Sequence, residues 1–140
     1  MQTDNLSSPK TDANTNQSDR RPVILVVDDE KKILEAFEIF LAAENCEMIS
    51  ASDVDEALVK TEGVKLDLII TDFYLKTKSS IELYTLIKKS NPGVPIAVIT
   101  GYPEYISEED VKIFGADYFF TKPLELDKLR ILIRECCPRK

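Results

Sequence analysis

Residues 23–27 read Val-Ile-Leu-Val-Val, an unbroken aliphatic run that stops at Asp28-Asp29. A strand with no polar alternation is covered on both faces, which marks a parallel sheet held between two helical layers. The same kind of unit recurs down the chain. A helical stretch carries Ile33, Phe37, Phe40 and Leu41 on one stripe, and Cys46–Ala51 is a second, shorter strand. Ser52-Asp53 caps a helix that runs to Lys60, with Val54, Ala57 and Leu58 inward. Leu66–Thr71 is a third strand and ends at Asp72. The next helix turns Leu83, Leu86 and Ile87 inward, leaves Tyr84 on its surface, and is closed by Asn91-Pro92-Gly93. Pro95–Thr100 is a fourth strand. A short polar helix over Ser107–Phe114 opens with Ser107 and Asp110 in a capping arrangement. Asp117–Thr121 is a fifth strand, ending at Lys122-Pro123, and the last helix, Glu125–Cys136, points Leu126, Leu129, Ile133 and Cys136 inward.

Five strand–helix units in about 120 residues specify an α/β fold with right-handed crossovers. Five strands favour a flavodoxin-like parallel sheet of order 2-1-3-4-5 with helices on both faces. A closed barrel needs eight units and roughly 250 residues. No glycine-rich fingerprint follows the first strand, so neither a dinucleotide site nor a P-loop is indicated.

The ends of the strands carry the chemistry. Strand one stops at Asp28 and Asp29, strand three at Asp72, strand four at Thr100 and strand five at Lys122. In an open α/β sheet, ligands bind beyond the carboxyl ends of the strands, where the strand order reverses. The topology thus brings three carboxylates, a hydroxyl and an ammonium to one pocket. Crowded carboxylates repel, and a hard divalent cation such as Mg²⁺ relieves them while leaving room for a phosphate oxygen. Lys122 and Thr100 suit further phosphate oxygens. One carboxylate is left to attack a phosphoryl group. Taken singly, each residue has an ordinary explanation: Asp after a strand often caps a helix, and Lys is the commonest exposed cation.

Composition narrows the field. The 140 residues contain 18 Lys and Arg against 25 Asp and Glu, a net charge of −7 that disfavours nucleic acid as a partner. Histidine is absent, which excludes Ser–His and Cys–His nucleophile pairs and His-ligated metals. Cys46, Cys136 and Cys137 show no metal or disulfide spacing and read as idle thiols of a reducing compartment. No apolar run approaches the ~18 residues of a membrane span. A cytoplasmic protein without a membrane partner is expected. Residues 1–20 are too polar to offset the entropy of ordering and read as a disordered tail.

With those residues in view, the chain resembles the receiver domain of two-component response regulators over about residues 22–137. The resemblance divides the chain into the tail, 1–20, and a receiver, 21–140. It implies Asp72 as phosphoacceptor and Asp28, Asp29 and Asp72 as Mg²⁺ ligands, joined by the backbone carbonyl of Tyr74. Thr100 and Lys122 would contact the phosphoryl group, Thr100 and Phe119 would form the switch, and Lys122-Pro123 would be cis. The donor would be a sensor histidine kinase or a histidine phosphotransfer protein, and the reader a downstream protein target. A phosphorylation-dependent dimer is compatible with this. The switch would be self-phosphorylating and self-dephosphorylating rather than a turnover enzyme.

Several positions depart from the family pattern. Leu75-Lys76 stands where Met-Pro is usual, Ser80 where Gly is usual, and Phe119 where Tyr is commoner. Tyr74 and Tyr102 are expected to overhang the phosphoryl group and slow its loss to water. Two alternatives stay open. One is a degenerate receiver that binds partners without phosphorylation. The other, an Asp-nucleophile phosphatase, is disfavoured because Val27-Asp28-Asp29-Glu30-Lys31 lacks the DxDx[TV] signature. No effector motif occurs within the 140 residues, so output is expected through protein association.

Overall fold

The computed structural model describes residues 20–75 and 80–137. Its elements alternate without exception: β1 (Val23–Val27), α1 (Lys31–Ala43), β2 (Glu47–Ala51), α2 (Val54–Lys60), β3 (Leu68–Asp72), α3 (Ile81–Ser90), β4 (Ile96–Thr100), α4 (Glu108–Ile113), β5 (Tyr118–Thr121) and α5 (Leu126–Cys136). All strand pairs are parallel and the order is β2-β1-β3-β4-β5, as expected. The aliphatic runs explain this order. Every residue of β1, β3 and β4 is buried, so these strands occupy the centre, while β2 and β5 carry partly exposed residues at the edges.

Alternate residues of each central strand feed two cores on opposite sheet faces. Leu25, Val27, Ile69 and Val98 pack with Leu83, Tyr84 and Val111, beneath α2, α3 and α4. Ile24, Val26, Ile70 and Ile99 pack with Phe40, Leu41, Leu129 and Ile133, beneath α1 and α5. Local signals start two helices: Asp53 accepts the Glu56 N–H at 2.7 Å, and Ser107 accepts the Asp110 N–H at 3.1 Å.

The differences from expectation are confined to edges and helix faces. The second, third, fourth and fifth strands each begin one or two residues later than read, and Asp72 is the last residue of β3 instead of the first beyond it. Leu126, read as inward, is 55% exposed. On α3 the buried set is Leu83, Tyr84 and Ile87, with Leu86 only half-buried. Tyr84 is therefore a core residue and not a surface one. The expected tail lies outside the described residues except for Arg20, which pairs with Asp67 at 3.1 Å. Lys76 is also outside them. The three cysteines are unbridged, with Cys46 and Cys137 buried. Among the described residues, no helix is long and apolar enough to cross a membrane.

Candidate functional site

The adjacent parallel pairing of β1 with β3 ends both strands at the same level, and the acids that follow converge there. One carboxylate oxygen from each of Asp28, Asp29 and Asp72 lies within 4.8 Å of the others. Asp28 and Asp72 are 4% and 8% exposed, values far below the norm for aspartate. Such burial demands compensation, and Lys122 supplies it from the end of β5: its ammonium lies 3.1 Å from Asp28 Oδ2 and 2.9 Å from Asp72 Oδ2. Pairing along β4 and β5 sets Thr100 opposite Thr121, and the Lys122 N–H donates to the Thr100 carbonyl at 2.8 Å. Lys122-Pro123 is cis.

The second oxygens are also engaged. Asp28 Oδ1 accepts the Glu30 N–H at 2.9 Å, so this residue both shapes the entry to α1 and faces the site. Asp72 Oδ1 accepts the Tyr74 N–H at 3.3 Å. Behind the acids a cavity of about 460 Å³ runs between α1 and α5, walled by Phe37, Phe40, Leu124 and Leu129. Asp28, Asp72 and Lys122 line the same cavity.

Burial raises the Asp72 carboxyl above its ordinary 3.8, and the charge of Asp28 adds to the rise, against the opposing pull of Lys122 and the Tyr74 N–H. For Lys122, burial acts downward, but the hydrogen bond and charge of Asp72, with those of Asp28, outweigh it and hold the ammonium above its usual value. Asp72 thus keeps its proton to higher pH in the folded than in the unfolded chain. Its contribution to stability is full below 3.8 and is lost as pH rises through the folded value. In metal-free buffer, Asp72→Asn is expected to gain stability relative to wild type as pH climbs from below 3.8 to neutrality, read by urea unfolding at each pH. A difference that stays flat with pH overturns this electrostatic assignment.

The remaining expected residues fall around this centre. Thr100 is fully buried, and its Oγ1 accepts the Tyr102 N–H at 2.9 Å. Tyr74 and Tyr102 meet edge to face with ring centroids 6.0 Å apart, and Tyr102 stacks on Tyr105 at the same separation. Phe119 lies away from the acids: it is half-buried on β5 and packs against the core beneath α2, α3 and α4. Two residues at this end were not singled out as a pair. Ser80 and Tyr84 are buried, and the Ser80 hydroxyl donates to the Tyr84 hydroxyl at 2.6 Å. Their i, i+4 spacing on α3 was a usable signal, since it places two hydroxyls on one helical face.

Residues 24–134 match the response regulator receiver domain. The chain belongs to that family. This receiver is 35% identical over 113 residues to the response regulator protein PilR of Pseudomonas aeruginosa, covering 81% of this chain and 25% of that one. It is 36% identical over 100 residues to the alkaline phosphatase synthesis transcriptional regulatory protein PhoP of Bacillus subtilis, covering 71% and 42%. The receiver thus spans a quarter of the first relative and less than half of the second. Among solved structures it is similar to a CheY-like receiver domain protein from Methanospirillum hungatei, with 30% identity and a TM-score of 0.75 over 83% of this chain and 93% of that one. A response regulator receiver protein from Pseudomonas putida matches with 29% identity and the same TM-score, over 83% and 98%.

Members of this family generally bind Mg²⁺ at an acidic pocket, and the donor set here fits such an ion. Asp28, Asp29 and Asp72 offer only hard oxygen atoms, crowded together and mostly removed from water.

Proposed function

We propose that this receiver accepts a phosphoryl group on Asp72 from a phosphohistidine donor, in a Mg²⁺-dependent reaction, and that the phosphorylated state is read by a protein partner. The observation that carries this is the Lys122 ammonium held between two buried carboxylates, Asp28 and Asp72, with Asp29 beside them. A solvated surface lysine has no reason to occupy that position. An ammonium fixed beside a nucleophilic carboxylate suits a phosphoryl oxygen that arrives with extra negative charge.

Asp28, Asp29 and Asp72 would hold the metal, together with the Tyr74 carbonyl. Bound Mg²⁺ neutralises charge and polarises a phosphoryl oxygen. The protein's own groups do the rest. Lys122 orients Asp72 through Oδ2 and the Tyr74 N–H through Oδ1, so the carboxylate is aimed before donor arrives. A carboxylate oxygen of Asp72 forms the new O–P bond, and the donor's leaving atom keeps the electron pair of the bond that breaks. An imidazole donor leaves neutral once its ring carries a proton; a small acyl phosphate leaves as a carboxylate.

Incubation with a small acyl phosphate and Mg²⁺ is expected to add one phosphoryl mass to the intact protein, and chelation of the metal to prevent it. No gain under either condition favours the degenerate receiver, and steady hydrolysis of phosphate esters favours the phosphatase.

The exposed rings of Tyr74 and Tyr102, whose backbones are tied to Asp72 and Thr100, support slow loss of the phosphoryl group. Replacing both with serine is expected to shorten the lifetime of the phosphorylated form severalfold. An unchanged or longer lifetime, timed by intact mass after removal of donor, removes the tyrosines from that role. Phe119 supports a switch in which its ring fills space released when Thr100 moves; lacking a hydroxyl, it acts by packing alone.

A further inference from the structure

Ser80 occupies the N-cap of α3, yet its side chain makes no cap hydrogen bond, unlike Asp53 on α2 and Ser107 on α4. A serine at that position ordinarily accepts an N–H of the first helical turn. Here the hydroxyl turns inward and donates to Tyr84 at 2.6 Å. Both side chains are sealed from solvent, at 0% and 1% exposure. Something other than helix initiation accounts for this arrangement.

The contacts lead from α3 to Asp72 without a gap. The Ser80 N–H donates to the Phe73 carbonyl at 3.0 Å. That carbonyl shares its peptide plane with the Tyr74 N–H, and the plane is rigid, so fixing one end fixes the direction of the other. The Tyr74 N–H donates to Asp72 Oδ1. At the other end of the chain, the Tyr84 ring is locked in the core with Val111 and Ala116, and a Cβ at Gly115 would stand 3.7 Å from the Tyr84 Cβ. The phenol therefore has little freedom to move. Burial holds its hydroxyl protonated well above the usual range, with the charge of Asp72 contributing, so it stays a neutral partner throughout the working pH range.

We propose that Tyr84 is a positioning residue for phosphoryl acceptance, acting through Ser80 and the Phe73–Tyr74 peptide to set the orientation of the Asp72 carboxylate. This rests on reading Asp72 as the acceptor. Lys122 fixes one oxygen of that carboxylate, and the Tyr84–Ser80 relay fixes the other. The pair also gives Ser80, at a position where the family usually has glycine, a function that glycine has no side chain to perform.

Tyr84→Phe removes one oxygen and leaves the Ser80 hydroxyl buried without its partner. Ser80→Ala does the reverse. The double variant, Ser80→Ala with Tyr84→Phe, removes both polar groups and leaves an apolar contact, an exchange that is nearly neutral for stability. The rate of phosphoryl uptake from a small acyl phosphate is to be measured over a range of donor concentrations, beside the thermal midpoint of each variant. Each single variant is expected to lose about fivefold in maximal rate, since small misplacement of a reacting group costs rate steeply, with the half-saturating donor concentration unchanged. The double variant is expected to recover the wild-type midpoint and to stay as slow as either single one. Recovery of the rate along with the midpoint, or single variants as fast as wild type, overturns the proposal and leaves the pair a packing feature. Absence of uptake by the wild-type protein instead removes the reading of Asp72 itself.

Discussion

Asp72→Asn is expected to gain no phosphoryl mass under conditions that load the wild-type protein. The amide nearly matches the carboxylate in shape but keeps a single acceptor oxygen, so either Lys122 or the Tyr74 N–H retains its bond while the other faces the amide nitrogen. What disappears is the nucleophile. A neutral amide lacks the formal negative charge of a carboxylate and is a far weaker nucleophile. The variant also sheds a buried charge, so its thermal midpoint in metal-free buffer is expected to equal or exceed that of wild type. Loss of uptake in a protein that is at least as stable separates chemistry from folding. Uptake that persists in Asp72→Asn would assign the acceptor to another carboxylate of the cluster, Asp28 or Asp29, and overturn the reading.

Lys122→Met is expected to be the most destabilising single change at the site. Methionine preserves the apolar stem but removes the ammonium that sits 2.9 and 3.1 Å from two buried carboxylates. Breaking a fully buried pair costs about 3–5 kcal/mol; because the Lys122 side chain is 22% exposed, about 2–3 kcal/mol is the better expectation. Part of the loss is relieved when one of the two carboxylates takes up a proton, so the deficit grows as pH rises. Mg²⁺ supplies the missing positive charge. At a free concentration ten times its dissociation constant, a ligand specific to the folded state adds about 1.4 kcal/mol. Tighter binding to the variant makes the gain at a fixed Mg²⁺ concentration larger than in wild type. Urea unfolding of both proteins, with and without Mg²⁺, measures it. Equal Mg²⁺ effects would mean that Lys122 and the metal do not share the same carboxylates.

Much of this site was readable before any coordinates. The aliphatic runs Val23–Val27, Leu68–Ile70 and Ile96–Ile99 admit burial on both faces and little else, so the central strands and their parallel pairing follow from them. Because β1, β3, β4 and β5 all end at one edge of the sheet, the residues at their ends meet, and Asp28, Asp29, Asp72, Thr100 and Lys122 were identified on that ground. The helix faces were less legible. On α3 the spacing of Leu83, Leu86 and Ile87 describes an inward stripe almost as good as Leu83, Tyr84 and Ile87. Periodicity ranks a phenol below a leucine for burial because it has a hydroxyl to satisfy. Ser80 satisfies it here, one helical turn away, and that partner reverses the preference. Leu126 erred in the opposite direction: it lies on the apolar stripe of α5 and is nonetheless mostly exposed.

The order of the strands, the edge at which chemistry collects and the types of group found there were determined by the amino-acid sequence alone, because double-sided burial and strand period are local properties of a chain. Which oxygen of Asp72 meets Lys122, which meets the Tyr74 N–H, and that a tyrosine on α3 stands behind that contact were decided only by tertiary structure. Those facts depend on distances of a few ångströms between residues as far apart in the chain as Asp28 and Lys122, and no periodicity records them.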